Sequence, residues 1–207
     1  ESHFGAFAKY ADSIYDEWRV GARALDEMAR QAGPGEAVRA LRRWFHEQQF
    51  ALPPDTINMR YIDNHDTLSL ADTHGRAVAT AMMAVMAWTP GYPQVCNFRE
   101  DGAFEALRRI FRLRAALPEL RRGAADYMGV DAPDGVFACR RTLGDLESVV
   151  LVNFNSDPAA GLAPFGFRVV RTKGPSVARA LGELPPFAPQ GAAAPARQTP
   201  SGLLFEL

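Results

Sequence analysis

The stretch Asn58-Met59-Arg60-Tyr61-Ile62-Asp63-Asn64-His65-Asp66-Thr67 decides how the chain is read. It opens as a short strand-like run carrying Met59, Tyr61 and Ile62, and stops abruptly in Asp63, Asn64, His65 and Asp66. A buried strand that ends in carboxylate, amide and imidazole groups reads as a site at a strand's carboxyl end. Such a set of donors and acceptors suits a ligand rich in hydroxyls. On residue types and spacing alone a second reading stands beside it, a polar turn in which Asp63 or Asn64 caps the next helix.

Working outward, Leu52-Pro53-Pro54-Asp55 reads as the loop before this strand. Glu36 to Phe50 is predicted as a helix with Val38, Leu41 and Phe45 on one stripe, and Val20 to Ala32 as another, with Gly33-Pro34-Gly35 as the break between them. Part of the aromatic-rich front, Tyr10 to Tyr15, reads as a strand. On the far side, a polar loop runs to Gly75. Arg76 to Trp88 comes next as a helix that is apolar almost all round, hence buried on most sides. Thr89-Pro90-Gly91 ends it. Tyr92 to Phe98 is a second apolar strand that stops in polar residues, Asn97, Arg99, Glu100 and Asp101, and Phe104 to Leu117 is an amphipathic helix with Phe104, Leu107, Ile110, Phe111 and Leu117 inward. Strand and helix alternate, the pattern of parallel β/α units. Three units are too few to close an eight-stranded barrel.

After Pro118 to Gly123 the character changes. Val136 to Thr142, Ser148 to Asn155 and Phe167 to Thr172 are β-rich, with a hairpin turn at Leu143-Gly144-Asp145-Leu146. The continuous apolar run Val149 to Val152 suits a sandwich-core strand. Ala188 to Ser201 reads as a loop and Leu203 to Leu207 as a last strand.

The chain has 207 residues, 47% hydrophobic and 23% charged, which suffices for a buried core and excludes wholesale disorder. A formal net charge of −1 gives no global attraction to nucleic acid or to anionic membrane. Arginines do cluster at Arg39, Arg42 and Arg43 and again from Arg108 to Arg122, where solvated helix faces explain them better than a nucleic-acid groove. Cys96 and Cys139 form no paired motif and read as free core residues, with a single bridge between them as the alternative. His65 and His74 lack metal-ligand spacing and no cysteine joins them; His3 and His46 read as surface or packing residues. No metal ligand and no cofactor is identified. No apolar run approaches the ~20 residues that span a bilayer. Oligomeric state and compartment, cytoplasmic or secreted, stay open.

With these elements in place, a resemblance emerges. Tyr61-Ile62-Asp63-Asn64-His65-Asp66-Thr67 resembles the fourth sequence region of the α-amylase family of glycoside hydrolases. Trp88-Thr89-Pro90-Gly91-Tyr92-Pro93-Gln94-Val95-Cys96-Asn97-Phe98-Arg99-Glu100 resembles that family's eighth barrel strand, although Phe98 stands where glycine is usual. Ile110-Phe111-Arg112-Leu113-Arg114 with Pro118-Glu119-Leu120-Arg121-Arg122-Gly123 resembles the last barrel helix and its exit, and Val149 to Asn155 a strand of the family's C-terminal β-sandwich that ends in Asn-Phe. The resemblance implies the back half of a (β/α)8 barrel, strands six to eight, over residues 1–122, and a small antiparallel β-sandwich over residues 123–207.

It also implies roles. The family's nucleophile is an aspartate at the end of the fourth strand in a Gly-x-Arg-x-Asp-like run, and this chain contains no such run. The general acid is a glutamate at the end of the fifth strand. Glu1, placed before a sixth-strand-like Tyr10 to Asp16, is the matching position, with an arbitrary terminus as the alternative. Asp66 is the third carboxylate, which holds sugar hydroxyls and favours the positive charge of an oxocarbenium-like transition state. His65 and Asn64 would bind the same sugar. Glu100 reads as structural. Calcium use by a full-length parent stays open, since the family's calcium ligands lie mostly outside this stretch.

The expectation is therefore a fragment of a retaining α-glucan-active hydrolase or transglycosylase, acting on starch- or maltooligosaccharide-like substrates and inactive alone. The ammonium of a terminal Glu1 would lower its carboxyl pKa, the opposite of what a general acid needs. A non-catalytic α-amylase-like scaffold is the alternative, and transfer of a glucan to phosphate or to another sugar is a third reading.

Overall fold

A computed structural model describes residues 13–15, 33–51, 56–62, 69–95 and 101–182, with backbone only at 13–15, 101–104 and 182. Its strands fall into two sheets. β1 (Ser13–Tyr15), β2 (Ile57–Arg60) and β3 (Tyr92–Pro93) form a parallel sheet in the order β1-β2-β3. β4 (Ala124–Asp126), β5 (Val136–Leu143), β6 (Leu146–Asn153) and β7 (Phe167–Lys173) form an antiparallel sheet in sequential order. The helices are α1 (Gly33–Ala51), α2 (Leu70–His74), α3 (Arg76–Trp88), α4 (Asp101–Ala116), α5 (Pro118–Arg122) and α6 (Val177–Gly182).

In the parallel sheet Ser13 pairs with Ile57, Tyr15 with Met59, and Met59 with Tyr92. The Gln94 amide donates to the Arg60 carbonyl at 2.7 Å, extending the β2–β3 pairing past the strand's end. Tyr61 and Ile62 beyond β2 are both buried. Between β1 and β2 lies α1, which begins on Gly33-Pro34-Gly35 where the sequence predicts only a break. Gly33 takes a positive φ of 76° that suits glycine, and proline's missing N–H costs nothing in a first helical turn. The predicted polar loop before Gly75 contains α2, a helix too short and too polar to show a periodicity.

α3 is the axis of the core. It occupies the predicted Arg76 to Trp88, and ten of its residues, from Val78 and Ala79 through Ala81 to Trp88, are buried. Its alanines leave room for close neighbours, while its methionines and Trp88 fill the remaining space. Trp88 donates from Nε1 to the Ile110 carbonyl at 3.0 Å and meets Phe167 edge-on with centroids 5.6 Å apart. One side chain of α3 thus touches α4 and the antiparallel sheet together. On α1, Phe45 stacks on Tyr127 at 5.2 Å and meets Phe137 at 6.0 Å, so the helix between β1 and β2 is also seated on the antiparallel unit. Leu107, Ile110 and Leu117 turn inward as predicted, and Phe111 is half-buried.

The hairpin turn falls where the sequence places it, with Leu143 opposite Leu146 and Gly144 at φ 56°. Along β6, Val150 and Val152 are buried and Val149 and Leu151 half-buried, so one face of the apolar run turns to the core. The inward face, where Phe137, Cys139, Val150, Val152 and Val169 lie in register, packs into the core. At the end of β6, buried Asn153 donates from Nδ2 to the carbonyls of Asp157 and Ala163, at 2.8 and 3.0 Å, and accepts from the Asn155 amide at 3.0 Å. Its whole amide is used to fold the β6–β7 connection back on the sheet. The predicted helix Val20 to Ala32, the end of the strand Tyr92 to Phe98 from Cys96 on, the Phe104 side chain, the loop Ala188 to Ser201 and the strand Leu203 to Leu207 lie outside the described residues, as does His3. β4 and α6 are additions that the sequence did not reveal.

Candidate functional site

Parallel strands carry their carboxyl ends to one edge of a sheet. β1, β2 and β3 run parallel and adjacent, so the chain leaves all three at the same edge. Along the sequence, β1 gives way to Asp16, Ile62 to the run Asp63 to Asp66, and Val95 to the segment leading to Glu100. The expected site residues Glu1, Asn64, His65 and Asp66 lie outside the described residues, as do Asp63 and Glu100. The described structure gives the strands that precede these segments in the sequence, a platform of three parallel strands.

That platform is fixed by buried guanidinium groups. Arg60 on β2 is 4% exposed; its Nη1 donates to Thr89 Oγ1 at 2.9 Å, and its guanidinium carbon sits 4.5 Å from the centre of the Phe45 ring. β2 is thereby tied to the end of α3 and to α1. Between α3 and β3, Gly91 takes φ 126°, and a Cβ there would lie 2.6 Å from the Asn58 carbonyl oxygen. Only glycine lets the chain pass β2 this closely. The Pro-Gly turn picked out by resemblance thus has a physical reason in this chain.

The end of α3 supplies another. It has no basic residue in its last turn, yet its final carbonyls are buried. Arg114 of α4 donates to the carbonyls of Ala87, Thr89, Leu120 and Gly91, the last at 2.6 Å. Arg141 of β5, fully buried, donates to Trp88 O at 2.6 Å and Gly123 O at 2.7 Å. Two cations at a helix carboxyl terminus also complement its dipole. Burial pulls the Arg114 pKa down to about 10, helped by the charges of Arg141, Arg121 and Arg60. Burial likewise lowers that of Arg141. At neutral pH both remain cations.

Next to this cap lies a buried ion pair. Glu119 of α5 accepts from Arg171 Nη2 at 2.9 Å and from Ser148 Oγ at 2.5 Å. Glu119 is 0% exposed and the Arg171 side chain 4%. The arginine reading from sequence is corrected here. Arg42 donates to the carbonyls of Tyr127 and Val130 and Arg114 caps α3, so both work as internal fasteners. Arg39, in contrast, forms exposed pairs with Glu36 and Asp134, as a solvated face should. Cys139 is a free, buried thiol, pushed by burial up to about 12. His74 is near the surface and bonded to Thr73, and His46 packs edge-on against Phe50. Among the described residues no group of three or more His, Cys, Asp or Glu side chains could hold a metal ion. No helix among them is long and apolar enough to cross a membrane.

No family model and no curated protein matches the sequence. Solved structures do match the fold. The cyclic α-maltosyl-(1→6)-maltose hydrolase of Arthrobacter globiformis, in complex with that cyclic sugar, superposes with a TM-score of 0.64 at 18% identity, over 83% of this chain and 48% of its own. The chain has an α-amylase-type fold. A maltogenic α-amylase from Thermotoga neapolitana superposes at 0.60 with 18% identity over 72% of this chain and 39% of its own. An α-amylase from H. orenii does so at 0.58 with 13% identity, over 73% and 41%. The chain spans about half the length of the first of these, or less of the others, so it carries part of the α-amylase-type fold. At such identities the likeness concerns backbone and topology.

Proposed function

We propose that this chain is the C-terminal part of a retaining α-glucan-active glycosidase or transglycosylase. In this reading β1, β2 and β3 are strands six, seven and eight of a (β/α)8 barrel within residues 1–122, and residues 123–207 form a C-terminal β-sandwich. The observation that carries it is the run of β2 through buried Tyr61 and Ile62 toward Asp63-Asn64-His65-Asp66, in a parallel sheet whose fold matches α-amylase-type structures.

The chemistry rests on the residues assigned. Glu1 would protonate the leaving glycosidic oxygen and later take a proton from the attacking water. Asp66, an acceptor when ionised, would hold hydroxyls of the sugar being cleaved and stabilise positive charge at its ring. His65 and Asn64 would supply further hydrogen bonds to that sugar. The attacking carboxylate would come from upstream sequence, because no Gly-x-Arg-x-Asp-like run occurs here. Hence the 207-residue chain alone is inactive in this account. Calcium, if the parent binds it, enters no step assigned to these residues.

The test is product stereochemistry. A longer parent with an aspartate in a Gly-x-Arg-x-Asp-like run roughly 30 residues before Glu1, one β/α repeat, should release sugar from maltooligosaccharides with the α-anomer formed first. Release of the β-anomer, or an upstream run lacking that aspartate together with tight glucan binding and no turnover, would replace the reading with an inverting enzyme or a binding scaffold. Turnover by the isolated chain would refute its inactivity.

A further inference from the structure

The two faces of β2 have opposite surroundings. Asn58 and Arg60 point one way and are buried, Arg60 against the Phe45 ring of α1 and Thr89 at the end of α3. Ile57 and Met59 alternate with them and point the other way. There Ile57 is 49% exposed and Met59 half-buried. On β3, Tyr92 is the register partner of Met59 and is 60% exposed. Tyr15 of β1 holds the register position on the other side of Met59. One face of the parallel sheet is therefore packed under helices, and the other presents large apolar side chains from two adjacent strands.

Parallel sheets are stable when both faces are covered. The edges of this one, β1 and β3, are also open among the described residues, and an open edge carries unpaired N–H and C=O groups. A helix laid on the open face would leave both edges unpaired. Further parallel strands that continue the sheet from β1 and from β3 and curve back to meet would pair the edges and cover the face together. Inside such a closed sheet, bulky side chains form packed layers. The chain spans about half the length, or less, of the α-amylase-type structures it matches, so that fold has room for those strands. We propose that the Ile57–Met59–Tyr92 face is a docking surface whose occupant is the upstream β/α part of the parent protein. Its outer strands pair with β1 and β3, and its inward side chains pack on this row. The inference rests on the barrel reading above and names the partner and the contact residues.

The experiment is tyrosine nitration with peptide mapping, on the 207-residue chain and on the longer parent. Tyr92 should react readily in the chain, at a rate independent of chain concentration, and at least ten-fold more slowly in the parent. Fully buried Tyr127 is the protected reference in both. The double substitution Ile57→Lys/Tyr92→Lys reads the same surface through stability. It should move the thermal midpoint of the chain by less than about 2 °C, and lower that of the parent by about 5 °C or more or leave it unfolded. Equal nitration of Tyr92 in the two proteins, or equal shifts of their midpoints, would overturn the proposal. Protection of Tyr92 in the chain that grows with concentration would make the occupant a second copy, and protection at every concentration would place the cover within the chain; either result overturns it. Neither readout uses a sugar. A parent that shields Tyr92 but turns over no maltooligosaccharide keeps the docking surface and removes the glucan reading, and a parent that turns it over with Tyr92 fully reactive does the reverse.

Discussion

The two sheets achieve order by opposite means. The antiparallel sheet organises itself: β5 and β6 are eight-residue neighbours joined by a two-residue turn, and their pairing runs from Leu143–Leu146 to Val136–Asn153. The parallel sheet has strands of three, four and two residues among those described, and little pairing of its own. It depends on helices packed around it and on guanidinium groups that arrive from far along the chain. Arg141 reaches α3 from β5, 53 positions away, and Arg60 reaches Thr89 from 29 positions away. The unit with local, self-sufficient pairing therefore serves as the anchor of the parallel unit. Residues of the antiparallel sheet should govern the stability of the parallel one.

Substitutions can break this contrast in graded steps. The largest effect is expected for Trp88→Ala, which empties the contact shared by α3, α4 and β7 and should cost about 3–5 kcal/mol in urea denaturation. A loss under about 1 kcal/mol, the size of an ordinary substitution, would mean that α3 is not the common axis. Glu119→Gln comes next. It leaves the Arg171 cation buried without its carboxylate, at about 3–5 kcal/mol, and a paired Glu119→Leu/Arg171→Met variant should recover most of that loss. Arg141→Met orphans two buried carbonyls at roughly 1–3 kcal/mol each. It should also raise amide exchange in β2 and β3 more than in β5 and β6, and a uniform rise would argue against directional anchoring. Gly144→Ala sharpens the other side. Its φ of 56° strains any side chain by about 1–2 kcal/mol, but no atom lies within 4 Å of the added Cβ. The cost should stay local to the hairpin.

The smallest effect concerns pH. Asp126 accepts from the amides of Gly129 and Met128, at 2.8 and 3.0 Å, and lies near Arg140. The Gly129 hydrogen bond is the main cause of its carboxyl pKa lying below the ordinary carboxylate value. A folded pKa below the unfolded one means stability present above the unfolded value, about 3.9, and lost as pH falls through the folded one. Asp126→Asn should flatten that acid limb of a stability-against-pH curve by lowering the neutral plateau toward the acid value, with little change at low pH. An unchanged acid limb would remove Asp126 from this role.

What could be read from sequence divides along the same line. Local rules located α3, because apolar residues on all sides between Gly75 and Thr89-Pro90-Gly91 admit one interpretation, and located the hairpin at Gly144-Asp145. They missed Gly33-Pro34-Gly35 as a helix start, since the same residues end helices as readily as they open them. They also misjudged arginines. A charge in a sequence does not reveal a buried carbonyl, and the carbonyl partners of Arg42 and Arg114 are brought close only by the fold. For the glucan site the position was reversed. Asn64, His65 and Asp66 were singled out by a strand that stops in polar residues and by resemblance, and they lie outside the described residues, which end at Ile62 on one side and resume at Ser69 on the other.

The central claim is that the strand-end cluster after β2 acts on a glucan, and Asp66 tests it most directly. In the longer parent, Asp66→Asn should abolish turnover of maltooligosaccharides while thermal unfolding stays unchanged, and His65→Ala should cost less because it removes a neutral donor rather than a charge. Turnover by a folded Asp66→Asn variant within a few-fold of the parent would contradict the account.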